Sequence, residues 1–236
     1  MTEVKGRIHS FQSLGAVDGP GIRYVIFLQG CPYKCPYCHN PDTRPFSGGE
    51  LYSVDELVKR VIRYKPYFGS VGGVTVSGGE PLMQKEFVAE LFERLHGIGI
   101  NTALDTAGVR SDAMVERVLK NTDTVLCDIK FPTDVQYEQY VGQSIDAVKD
   151  FLSLCDSCGC DVIVRHVVVP GLTDSVESVK AVKALANEVK NLKKIELLPF
   201  RKLCVDKYNS LGIPFPLADV PECSEEKIEN LKKLLN

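Results

Sequence analysis

Six short apolar runs rich in β-branched residues recur along the chain, at Tyr24–Gln29, Gly73–Ser77, Thr102–Asp105, Thr124–Ile129, Asp161–Val169 and Lys194–Pro199, with amphipathic stretches between them. That alternation is the pattern of β/α units, which pair their strands in parallel and cover them with helices. Gly6–Phe11 forms a further extended piece flanking the set. Helix starts are marked by Ser53 with Glu56, by Ser111, by Asp174 with Glu177 and by Ser224 with Lys227, residues that cap orphan backbone donors. After Gln84, apolar residues at helical spacing (Phe87, Leu91, Phe92, Leu95) lead to Gly97 and Gly99, as expected at a helix end. Six units predict an α/β fold, a partial (β/α)6 barrel, with a closed barrel or a doubly wound open sheet as alternatives. No Gly/Ser or Pro-rich linker divides the 236 residues, so one domain is expected over 1–236, with its core at about 20–200 and a C-terminal helix at 224–235.

The polar residues that interrupt the apolar runs fall just after the strands, where a parallel α/β fold builds its site. Three cysteines follow the first strand, Ser77-Gly78-Gly79-Glu80-Pro81 the second and Asp105-Thr106 the third. Asp128, Ile129 and Lys130 close the fourth, Arg165 lies within the fifth, and Pro199-Phe200-Arg201 ends the sixth. A net charge of -3 and the absence of a basic stripe argue against a nucleic-acid partner. No apolar run is long enough to span a bilayer, and the N-terminal stretch lacks the apolar core of a secretion signal, so no membrane partner and a cytoplasmic location are expected. In that compartment nine cysteines serve metal binding or chemistry more readily than structural disulfides.

Cys31, Cys35 and Cys38 form a C-x3-C-x2-C arrangement on a Pro-rich loop. Their thiols can converge on one metal centre but supply only three ligands, leaving a coordination position open. Spacing alone leaves two readings: a four-iron cluster with one free iron, or a structural zinc site completed by His39 or a distant cysteine, that is, a non-catalytic zinc-binding module.

The cysteine triad with Tyr37 before its last member resembles the cluster signature of the radical S-adenosylmethionine (SAM) superfamily. Gly6-Arg-Ile-His-Ser-Phe11, Asp18-Gly-Pro-Gly-Ile-Arg23, Tyr37-Cys-His-Asn40, Ser77-Gly-Gly-Glu80, Leu104-Asp-Thr106, Val167-Val-Val-Pro-Gly171 and Ile195-Glu-Leu-Leu-Pro199 are similar to the family of glycyl radical enzyme activases that act on pyruvate formate-lyase. The resemblance runs from about Gly6 to Pro199 and implies an oxidoreductase of anaerobic metabolism. A 4Fe-4S cluster on Cys31, Cys35 and Cys38 would bind SAM and, on reduction by flavodoxin or ferredoxin, yield a 5′-deoxyadenosyl radical that abstracts hydrogen from a glycine of the partner. The partner implied is pyruvate formate-lyase (formate acetyltransferase), with another glycyl radical enzyme as the alternative.

By the same resemblance Tyr37, Cys38 and His39 lie against the adenine, and Gly78, Gly79 and Glu80 meet the SAM amino group. Asp105, Asp128, Ile129, Lys130, Arg165 and Arg201 complete the cofactor-binding set. Asp105, Thr106 and Asp128 are offered to a monovalent cation, and Asp18, Gly19 and Gly21 to the glycine-bearing peptide. No protein side chain is expected to act as acid, base or nucleophile, and an open barrel mouth suggests a monomer. Two departures stand out. Arg201 occupies the place of a family histidine, and Cys155, Cys158 and Cys160 form a second thiol group expected to be inert. The stretch between Asn40 and Ser53 is too short for a ferredoxin-like insert, which favours the pyruvate formate-lyase branch.

Overall fold

The computed structural model describes residues 3–235. In chain order its elements are β1 (Lys5–Gly15), β2 (Arg23–Leu28), β3 (Glu50–Ser53), α1 (Val54–Ile62), β4 (Gly73–Gly78), α2 (Lys85–Gly97), β5 (Asn101–Thr106), α3 (Ala113–Leu119), β6 (Thr124–Asp128), α4 (Asp134–Tyr140), α5 (Ile145–Cys158), β7 (Asp161–Val168), α6 (Val176–Ala186), β8 (Leu192–Pro199), α7 (Val205–Leu211) and α8 (Glu225–Lys232). All strands join one sheet in the order β3-β1-β2-β4-β5-β6-β7-β8. β1 runs antiparallel to both β2 and β3, while β2 through β8 are parallel.

The six parallel strands stand in the order of the chain, with no reversal. Right-handed crossovers then place every connecting helix on the same face, which separates this fold from a doubly wound sheet. The barrel is open, because β1 takes the free edge of β2 and β8 ends the sheet. Alternation along the strands sorts the side chains. Val74, Val76, Leu104, Val125, Val162 and Val164 enter the core under the helices. Thr75 and Ser77, Ala103 and Asp105, Leu126 and Asp128, Ile163 and Arg165 take the other, concave face. There the first member of each pair is buried, and the second opens onto a cavity at the C-terminal ends of the strands.

Local chemistry sets the helix starts. Ser53 and Glu56 form a reciprocal capping box, the Glu56 amide donating to Ser53 Oγ at 3.3 Å and the Ser53 amide to Glu56 Oε2 at 2.7 Å. Two caps fall one residue later than the sequence reading. Asp112, not Ser111, caps α3, and Ser175, not Asp174, caps α6, because Asp174 accepts from the Gly171 amide and shapes the preceding turn. No helix among the described residues is long and apolar enough to cross a membrane.

Candidate active site

The loop after β2 is closed on itself before it presents any thiol. Gly30, with φ of 102°, reverses the chain, its amide donates to the Thr43 carbonyl at 2.7 Å, and the Cys31 amide donates to Arg44 at 3.0 Å. Gln29 Nε2 binds the carbonyls of Asp42 and Pro45. Cys31, Cys35 and Cys38 then face one cavity of about 260 Å3, with Ser77–Glu80, Asp105, Thr106, Asp128, Lys130 and Arg165 on its other sides. Burial pushes the Cys31 thiol up to about 12 and raises Cys35 and Cys38 as well. Such thiols stay protonated until a metal claims them. Among the described residues no three His, Cys, Asp or Glu side chains close around a single ion. Three thiols facing one cavity, with no fourth protein donor needed, fit a cluster that keeps one iron open.

Gly78 and Gly79 prove to be packing residues as much as ligand residues. A Cβ on Gly78 would meet the Leu28 amide nitrogen at 2.5 Å, and one on Gly79 the Gly30 carbonyl at 2.3 Å. The Gly79 and Glu80 amides donate to Leu28 and Gly30, extending the β2–β4 pairing into the cysteine loop. Glu80 is 1% exposed. Its carboxylate accepts from Thr106 Oγ1 at 2.6 Å, from the Ala107 amide at 2.9 Å and from the Leu82 amide at 3.1 Å. Burial outweighs those three bonds and raises its pKa to about 7.

Four charges form the far wall. Arg165 donates through Nε to Asp128 Oδ1 at 3.0 Å and through Nη2 to Asp105, Lys130 Nζ lies 2.6 Å from Asp128 Oδ2, and Ser77 Oγ donates to Asp105 Oδ2 at 2.7 Å. Their side chains are between 12% and 17% exposed, so they are desolvated yet reachable from the cavity. Burial alone would raise Asp128 and lower Arg165 and Lys130; their mutual attraction reverses all three, holding Asp128 low and both cations high. Asp105 is the exception, raised by burial and by Asp128 beside it in spite of Arg165. Of the trio that the resemblance offers to a monovalent cation, Asp105 and Asp128 face Arg165 and Lys130, and Thr106 donates to Glu80.

Tyr37 is buried, its Oη donating to the Lys130 carbonyl at 2.9 Å, while the Lys130 amide donates to Tyr137 Oη at 2.8 Å. His39 is exposed and its Nε2 donates to the Arg201 carbonyl at 3.0 Å. Ile129 lies behind the wall, where His166 Nδ1 donates to its carbonyl at 2.6 Å. The Arg201 side chain turns away: it is bound to the Cys223 carbonyl and to Glu225 and does not line the cavity. The Arg201 backbone meets the site through His39. Asp18, Gly19 and Gly21 lie deeper on the concave face. The Asp18 carbonyl accepts from Thr75 Oγ1 at 2.6 Å, and its buried Oδ2 has no hydrogen-bond partner among the described residues. Gly19 borders a second cavity of about 570 Å3 that runs along β8.

The family model described as the radical SAM superfamily matches residues 25–182. The chain is 45% identical over 98% of its length to the pyruvate formate-lyase-activating enzyme of Clostridium pasteurianum, of which it covers 98%, and 39% identical over 99% to that of Staphylococcus epidermidis, covering 96%. The chain belongs to the radical SAM superfamily, among the pyruvate formate-lyase-activating enzymes. Membership implies a 4Fe-4S cluster and SAM. The fold agrees. A radical SAM methyltransferase from Sphaerobacter thermophilus superposes with a TM-score of 0.61 at 18% identity, covering 90% of this chain and 63% of that one. A domain of a pyruvate-formate lyase-activating enzyme from Bacteroides vulgatus gives 0.57 at 21% identity over 70% of this chain and 92% of that one.

Sequence reasoning named most of the cavity wall but missed its supports. Tyr33 lines the cavity and donates to the Gly108 carbonyl at 3.0 Å, Tyr137 holds the Lys130 amide, and α7 packs behind the cysteine loop. A tyrosine inside the cysteine motif was a readable signal; the other two supports depend on contacts remote in sequence.

Proposed function

We propose that this chain installs a glycyl radical on pyruvate formate-lyase. Its Cys31, Cys35 and Cys38 would hold a 4Fe-4S cluster, and the polar wall from Ser77 to Arg165 would hold SAM. The observation that carries the reading is one cavity with three thiols on one side and a charge-balanced, desolvated wall on the other. Bound there, cluster and SAM would supply one-electron cleavage of the sulfonium, the source of the hydrogen-abstracting radical.

The chain's own residues orient and exclude. Asp128 and Asp105 offer carboxylate oxygens to the SAM ammonium, and Lys130 and Arg165 fix those oxygens, so little reorganisation accompanies binding. Gly78 and Gly79 line the cavity beside the thiols, and no side chain there stands between SAM and the backbone. Tyr37 packs against Phe131, centroids 5.8 Å apart, and closes the floor beneath the adenine position. By the family resemblance Asp18, Gly19 and Gly21 would meet the glycine-bearing peptide. A low-potential donor of the flavodoxin or ferredoxin class, a cytoplasmic location and a monomer complete the proposal.

The test is to incubate the anaerobically reconstituted, reduced protein with SAM and pyruvate formate-lyase. A glycyl radical doublet in electron paramagnetic resonance, lost in Cys35→Ala, is expected. SAM cleavage without that doublet, alongside a doublet on another glycyl radical enzyme, would reassign the substrate. Colourless protein with stoichiometric zinc would end the cluster reading.

A further inference from the structure

The cysteine loop is held at its start by its own backbone, but from Cys38 to Asp42 it is held by the chain that leaves the last strand. Lys207, in α7, places Nζ 2.9 Å from Asn40 Oδ1 and 3.1 and 3.2 Å from the two carboxylate oxygens of Asp42, 165 residues away in sequence. The next residue, Tyr208, is 2% exposed, and its Oη donates to the Cys38 carbonyl at 3.3 Å. Its ring is seated against Phe215 at 4.9 Å between centroids. His39, between these anchors, donates to the Arg201 carbonyl, and Asp42 also meets His9 Nε2 of β1 at 3.3 Å.

We infer that residues 201–208 are a clamp that positions the third thiol, with Lys207 and Tyr208 as positioning residues for Cys38. The physical argument is one of order. Cys38 is the last of the three thiols, and within the loop its amide donates to the Cys35 carbonyl at 3.2 Å. On its C-terminal side the loop is tied to its own start from Asp42 onward, by Gln29 Nε2 on the Asp42 carbonyl and the Gly30 amide on Thr43, so the clamp bears on the stretch between, where Tyr208 holds the Cys38 carbonyl and Lys207 the Asn40 side chain. Groups that hold a metal ligand in place are commonly worth 10–100-fold in metal retention. The charge pair is local: Lys207 is 40% and Asp42 25% exposed, so its value lies in geometry more than in stability.

This inference rests on the reading of the three thiols as cluster ligands, and the experiment separates the two. Full-length wild type, Lys207→Met, Lys207→Arg and Tyr208→Phe are compared first without iron, by hydrogen exchange. Amides of residues 38–44 should exchange about tenfold faster in Lys207→Met, with β4 and β5 unchanged, and Lys207→Arg should recover most of the protection. The same chains are then loaded anaerobically with iron and sulfide, and iron loss to a chelator is followed. Loss about tenfold faster in Lys207→Met and several-fold faster in Tyr208→Phe is expected. Rates within twofold of wild type in both assays, or acceleration spread equally over β4 and β5, would overturn the clamp. A wild type that takes up no cluster would instead overturn the functional reading, and the exchange measurement would still decide the clamp.

Discussion

At the residue scale, the site sets two ways of burying a carboxylate side by side. Asp128 is buried with Arg165 and Lys130 and keeps its charge; Glu80 is buried with three neutral donors, and desolvation raises its pKa to about 7. Linkage then gives a sign. Glu80 binds its proton more tightly folded than unfolded, so its contribution is full below the unfolded value near 4.5 and is lost as pH rises through about 7. The whole difference is worth about 3 kcal/mol. Asp128, shifted downward, loses its contribution only at acid pH, outside that window. In the cofactor-free chain, urea unfolding between pH 5 and 8 should show stability falling with pH, and Glu80→Gln should flatten that slope while lowering stability at pH 5. Identical slopes in both chains would show that Glu80 is ionised throughout.

At the element scale, the second thiol group resolves into a helix end. Gly159, with φ of 78°, follows the last residue of α5; its amide donates to Asp156 at 3.1 Å, and the Cys160 amide donates to Cys155 at 3.1 Å. This is the two-bond pattern of a Schellman motif, whose apolar contact falls on the two residues that are Cys155 and Cys160 here, both buried. Cys160 Sγ also donates to the Leu119 carbonyl at 3.3 Å. A Cβ at Gly159 would meet nothing within 4 Å, so Gly159→Ala isolates the cost of the left-handed conformation, about 1 kcal/mol. A lower urea midpoint at unchanged m-value is the expected result; an unchanged midpoint would mean that the helix end refolds around the alanine. Strands and site loops were legible because period-two apolar runs ended in polar residues that had no reason to be there unless they faced a cavity. β3, α4 and α7 were not. Glu50–Ser53 is a short edge strand made by pairing with β1, and the places of α4 and α7 follow from contacts across the fold, such as the seat of Tyr208 on Phe215. The position of Arg201 after β8 was readable, but its ion pair with Glu225, 24 residues on, was not.

At the scale of the whole molecule, the open barrel divides its labour along its axis, and Arg23 marks the other end. It is fully buried, and among the described residues no carboxylate pairs with it directly. Nε donates to Thr75 Oγ1 at 3.0 Å, Nη1 to Asn101 Oδ1 at 2.7 Å and Nη2 to the Val74 carbonyl at 2.6 Å, and Nη1 reaches the Pro20 carbonyl at 3.2 Å. Burial lowers its pKa to about 10, which leaves it charged at neutral pH. One side chain thus ties β2, β4, β5 and the Asp18 turn together at the N-terminal ends of the strands, far from the thiols at their C-terminal ends. In parallel α/β barrels those two ends serve stability and chemistry respectively. Arg23→Met strands several buried acceptors and should cost about 3 kcal/mol or more, and Arg23→Lys should recover little, because an ammonium cannot reproduce the fork. Asp128→Asn, at the other end, should weaken SAM binding by about tenfold or more. Urea midpoints and equilibrium SAM binding on the reconstituted variants read the two effects separately. If Arg23→Met lowered the midpoint while SAM affinity per folded molecule held, the division would stand. If SAM affinity fell with it, the turn carrying Asp18 would be coupled to the cofactor wall, and the two ends would act as one.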